Sequence, residues 1–173
     1  MKFVLLFLLI STATRPFDTI VNEPTYFVSM EYKGMSNCIY KVYVNDSLIL
    51  GAKVNGYITT EGSFGIGKSI PKEVMHSPEA YVDSAMDVKY KNLLLDNNSF
   101  LHADKDNFII RKIDITKVYL NPKKKFGMGY YPQSGRIEIE TGKTTGNRKG
   151  NRELILVGDQ DPNVVLSLFK TGS

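Results

Sequence analysis

Cysteine is nearly absent. Cys38 is the one example in 173 residues, which excludes an internal disulfide and a cysteine-built zinc site. It sits in an apolar run, CIYKVYV, where a buried, inert thiol is the expected state rather than a nucleophile. Histidine is scarce as well, with His76 and His102 far apart in the chain. Asp104 and Asp106 follow His102 and offer oxygen ligands for a hard cation, yet nothing completes a metal set and a polar turn is expected there. No Ser-His-Asp or Cys-His arrangement is legible, so neither a catalytic set nor a cofactor is expected. Long hydrophobic runs are missing too. The longest, Phe3 to Ile10, has eight residues, against about 20 for a membrane-spanning helix. There are no internal repeats and no low-complexity tract.

That short run does have a use. Met1-Lys2, the run FVLLFLLI and then Ser11-Thr12-Ala13 match the charged, apolar and small-residue parts of a secretory signal. Residues 1–13 are therefore expected to be a signal peptide on an exported or periplasmic protein. The alternative is a buried first strand or helix of a cytoplasmic one. Residues 14–24 form a polar lead. Residues 25–173 are one domain by length, and 42% apolar with 23% charged residues is ordinary globular composition.

Periodicity sets the elements. Tyr26 to Tyr32 alternates as a strand; Cys38 to Val44 and Ser47 to Val54, joined by Asn45-Asp46, read as a hairpin. Tyr57 to Thr60 is a short run that would extend the meander. Ser77-Pro78-Glu79 has the chemistry of a helix start, with Tyr81, Val82, Ala85, Met86 and Val88 on one face down to about Lys91. Leu93 to Leu95 then enters the core, Asp96 to Ser99 turns, and Phe108 to Ile110 resumes the strand pattern. Ile113, Ile115, Val118 and Leu120 lead into a loop, and Ile137 and Ile139 lead out of it. Glu153 to Val157 is the last strand. Asp161-Pro162 opens a final helix with Val164, Val165, Leu168 and Phe169 on its apolar face.

These elements predict an α+β fold: a bent antiparallel sheet or open barrel, with a central helical insertion and a C-terminal capping helix. The runs Ile39 to Val44, Ser47 to Gly51, Phe108 to Ile110, Ile113, Ile115, Val118 and Ser134 to Ile139, with the closing strand and helix, resemble the bacterial pleckstrin-homology-like (GRAM-like) domains. The resemblance spans residues 25 to 171 and lies in strand patterning. It implies a binding or scaffold domain and carries no catalytic residue, and the helical segment near 71–95 departs from the simplest form of that fold.

Charge is polarised along the chain. Residues 111–152 hold 11 Lys and Arg against Asp114, Glu138 and Glu140, a net of +8, while the remainder has 11 basic and 15 acidic residues, a net of −4. Within the basic segment, Lys123, Lys124, Lys125 and Arg136 interleave with Phe126, Tyr130 and Tyr131. Lysines attract anionic headgroups and aromatics enter an interface. The leading expectation is a non-enzymatic binding domain that engages an anionic lipid, a polyanion or a protein through residues 121–136. Nucleic acid is disfavoured, because no reading module accompanies the charge. The alternative is a nucleotide-binding protein. Gly62, Gly67, Lys68 and Ser69 satisfy the phosphate-loop pattern GxxxxGK[ST], although Pro71 and Pro78 interrupt the helix that pattern needs.

Overall fold

The computed structural model describes residues 25–32, 37–56, 58–60, 68–91, 93, 96–126, 131–142, 144–145 and 148–170. The expected signal segment lies outside them. In chain order the strands are β1 (Tyr26–Glu31), β2 (Cys38–Val44), β3 (Leu48–Asn55), β4 (Ile58–Thr60), β5 (Lys68–Ile70), β6 (Phe108–Arg111), β7 (Ile115–Asn121), β8 (Gln133–Thr141), β9 (Thr144–Thr145), β10 (Arg148–Lys149) and β11 (Arg152–Val157). The helices are α1 (Ser84–Lys91), α2 (Asn97–Ala103) and α3 (Pro162–Ser167). Seven strands form one sheet in the order β6-β3-β2-β1-β11-β8-β7, and every pairing in it is antiparallel.

The two edges of that sheet are neighbours in sequence. Only a 3-10 turn, Lys112–Asp114, separates β6 from β7. Seven strands laid flat would span about 29 Å at roughly 4.8 Å per strand, so three residues can join the edges only if the sheet curls. The result is an antiparallel half-barrel with a few helices, an α+β fold. Side chains from all seven strands accordingly converge on one cluster, from Phe108 and Ile110 of β6 to Val118 and Leu120 of β7. Helix α3 and the turn after it close that concave side with Val165 and Phe169. Asp161 caps it by accepting from the amides of Asn163 and Val164, and Phe169 meets Phe27 at 5.9 Å between ring centroids.

The other face of β1, β2, β3 and β11 is covered by the segment between β3 and β6. Val28, Met30, Tyr43, Leu50 and Val54 pack there against Ile58, Ile70, Met75, Tyr81, Tyr90 and Phe100. Strand β2 is thus buried along its whole length. Its one charged side chain, Lys41, donates to both carboxylate oxygens of Asp87 on α1 at 3.0 Å. Tyr43 donates to the same Asp87 at 3.3 Å, and the Tyr26 ring lies 4.0 Å from the ammonium. Burial first, and then the Asp87 carboxylate, push the Tyr43 phenol above its ordinary value. This polar contact fixes α1 to the sheet.

Several expectations need correction. The 57–60 run does not extend the meander, because β6 occupies the free edge of β3, with Ile49 opposite Ile110. Strand β4 instead pairs in parallel with β5, apart from the main sheet. The helix starting at Ser77 is interrupted: Pro78–Tyr81 is a 3-10 turn, and Val82 is extended. Tyr81 is fully buried and donates to the Met75 carbonyl at 3.0 Å, which draws the chain inward. A new start follows at Asp83, whose carboxylate accepts from the amides of Ala85 and Met86. The side of α1 turned to the sheet consequently carries buried Tyr90 and half-buried Asp87, while Val88 is 64% exposed. The Asp96–Ser99 turn is the capped start of α2. Ile113 sits on the corner turn and points outward, and Val164 does the same on α3.

Candidate functional site

The basic loop leaves β7 at Asn121 and enters β8 at Gln133. Its two ends are clasped by side chains. Asn121 Oδ1 accepts from the Lys123 amide at 3.1 Å, an Asx turn that follows from asparagine at the end of a strand. Gln133 Oε1 accepts from the Lys125 amide at 2.7 Å, and its Nε2 donates back to the Lys125 carbonyl.

Two of the expected cations belong to this frame. The Lys125 ammonium is 3.0 Å from Glu153 on β11. Arg136 donates to Glu153 at 2.9 Å and to the Lys123 carbonyl at 3.1 Å. Beside them Glu138 accepts from the Tyr119 hydroxyl and from Asn121 at 2.7 Å. Those bonds, the one from Tyr119 foremost, hold the Glu138 carboxyl below its ordinary value. Tyr131 also turns inward, packing against the cluster beneath the insertion with its ring 6.2 Å from that of Tyr81.

What points outward is Lys123, Lys124 and Phe126. Phe126 is 97% exposed, and no acidic side chain pairs with Lys123 or Lys124 among the described residues. The site expected from sequence therefore separates into a supporting half, Lys125, Arg136 and Tyr131, and a presenting half, Lys123, Lys124 and Phe126. Tyr130 lies outside the described residues.

The phosphate-loop residues stand elsewhere. Gly62 and Gly67 lie outside the described residues, whereas Lys68 and Ser69 are the first two residues of β5. Phosphate binding needs that lysine and serine on the opening turn of a helix, where free amides converge. Here Ile70 and Pro71 follow, and then a three-residue 3-10 turn, Lys72–Val74. Among the described residues no three His, Cys, Asp or Glu side chains gather to hold a metal. His102 Nδ1 lies 2.8 Å from the Asn98 carbonyl, and Asp104 and Asp106 flank the Lys53 ammonium. Cys38 is buried, as its apolar run implies.

The neutralising carboxylates were not singled out by sequence reasoning. The alternation in Arg136-Ile-Glu138-Ile-Glu140 puts acids on the outer face of β8, opposite Lys117 and Tyr119 of β7, and is the signal that could have found Glu138. Glu153 needed knowledge that β11 pairs with β8. No helix among the described residues is long and apolar enough to cross a membrane. A search of family models, of curated proteins and of solved structures found no match to this chain.

Proposed function

We propose that this chain is a non-enzymatic binding domain of the pleckstrin-homology-like kind, and that it engages an anionic lipid surface through the tip of its 121–136 loop. The curled antiparallel sheet closed by a C-terminal helix supports the architectural part. The observation that carries the functional part is Phe126, almost wholly exposed beside two lysines that have no acidic partner among the described residues. An exposed ring next to ammonium groups suits a headgroup interface, where the ring enters the apolar boundary and the lysines meet phosphates.

Co-sedimentation with vesicles tests this reading. Phosphatidylserine-containing vesicles should bind the protein at low salt and release it at high salt, because the Debye length shrinks to about 3 Å at 1 M. Neutral phosphatidylcholine vesicles should not bind it. Equal retention on heparin beads by wild type and Phe126→Ala, without vesicle binding, would replace the lipid with a polyanion. The export expectation for residues 1–13 is part of the same proposal. A native N-terminus at Thr14 supports it, and an intact Met1 on cytoplasmic protein contradicts it.

A further inference from the structure

A second cationic feature lies toward the opposite end of β7 from the loop. A groove of about 340 Å³ opens between β7 and α3. Its walls include four consecutive strand residues, 115 to 118. The β7–β8 register shifts between Ile115 and Lys117, which brings Ile115 to the same cluster as Val118 and Leu120, and the groove runs along β7, the outermost strand of the sheet. The floor is apolar: Ile115 and Val118 from the strand, Leu166 from the helix and Phe169 from the turn just beyond it. The rim carries Lys112, Lys117 and Lys170.

Among the described residues no acidic side chain lines this groove. The nearest acid in sequence, Asp114, is held by the Arg111 guanidinium at 2.7 and 2.9 Å. Glu140 is the cross-strand neighbour of Lys117 on β8 but contributes no wall. The lysines are also placed rather than merely present. Lys112 donates to the Leu168 carbonyl at 2.9 Å, which fixes it at the end of α3. The Lys117 ammonium lies 4.5 Å from the Tyr119 ring centroid. Each ammonium has three donors, so a single carbonyl bond leaves Lys112 able to bind an anion.

We propose that this groove is a binding site for a small amphiphilic anion, a carboxylate or phosphate head on an aliphatic or aromatic body. The head would meet the lysine rim and the body would cover the Ile115, Val118, Leu166 and Phe169 floor. The volume falls at the lower end of the range for small-molecule sites, about 300 to 1,000 Å³. Apolar walls with a few convergent polar groups are the usual composition of such sites. Three like charges around one opening repel each other, and a bound anion relieves that repulsion. This site is independent of the loop tip.

Titration of the full chain with decanoate, followed by amide chemical shifts, tests the proposal. Decanoate should shift residues of β7 and of the α3 end, and decanol should bind at least tenfold more weakly. The double variant Lys117→Ala/Lys170→Ala, altering two exposed side chains, should lose about tenfold in decanoate affinity and leave decanol unchanged. Dimyristoyl phosphatidylglycerol vesicles distinguish a free anion from a lipid headgroup: the double variant should bind them as wild type does. Four results would overturn the proposal. They are shifts located elsewhere, equal affinity for decanol, a double variant indistinguishable from wild type, or β7 amides that respond to an acidic peptide and not to decanoate. The last would make the groove a strand-adding peptide site.

Discussion

Arg136 on β8 donates to Glu153 on β11 at 2.9 Å, and the same carboxylate receives the Lys125 ammonium at 3.0 Å. One glutamate thereby takes two cations out of the basic loop and uses them to hold it. The positive charge left exposed on the loop is carried by Lys123 and Lys124, next to Phe126.

Frame and tip should therefore respond differently to mutation. Each lysine near an anionic surface contributes about 1 kcal/mol, so Lys123→Ala/Lys124→Ala should weaken vesicle binding by roughly 30-fold, with the unfolding midpoint unchanged. Glu153→Gln should lower the unfolding midpoint instead. Parallel vesicle titrations and thermal melts separate the two; a destabilised lysine variant would mean that the tip has a structural role.

Gly51 is required by the ring of Phe108. A Cβ at position 51 would lie 2.0 Å from Phe108 Cε1, and that ring is itself held edge-on to Tyr40 at 5.2 Å and under the Arg152 guanidinium at 3.7 Å. Gly51→Ala should cost about 1–3 kcal/mol through overpacking, measured by urea unfolding. A neutral result would show that the ring can move aside.

The Lys41–Asp87 contact should prove asymmetric. Asp87→Ala strands a nearly buried ammonium and should cost about 2–3 kcal/mol, below the roughly 3–5 of a fully buried pair because both partners keep some solvent contact. Replacing both, as Lys41→Met/Asp87→Leu, should recover most of that loss. Equal destabilisation by the single and double variants would contradict this account.

Acid should weaken the loop frame through Glu138. Its carboxyl is held below its ordinary value of 4.5, by the Tyr119 hydrogen bond first and the Asn121 bond second. A depressed carboxyl contributes stability that is complete above the unfolded-state value and is lost as pH falls through the folded one. Glu138→Gln should flatten that part of the stability curve below about pH 4.5. An unchanged acid limb would assign the transition to other carboxylates.

The strands were legible where apolar residues alternate. The hairpin at Asn45-Asp46 is as expected, with Asn45 Oδ1 accepting from the amides of Ser47 and Leu48. So is the capped start of α3. Between β3 and β6 the sequence was harder to read, because the deciding contacts are long-range. Tyr81 breaks a helix by reaching for the Met75 carbonyl, and α1 turns an aspartate toward the sheet because Lys41 lies there. In the candidate site the basic residues were visible, but their division into frame and tip depended on Glu153, which only the β8–β11 pairing brings near.

A single tryptophan tests the central claim most directly. The chain has none, so Phe126→Trp would put the only indole at the tip of the loop. Added phosphatidylserine vesicles should shift its emission to the blue and protect it from iodide, and high salt or Lys123→Ala/Lys124→Ala should reverse both effects. Emission that stays at the water-exposed wavelength while the protein sediments with the vesicles would place the contact elsewhere and contradict the account.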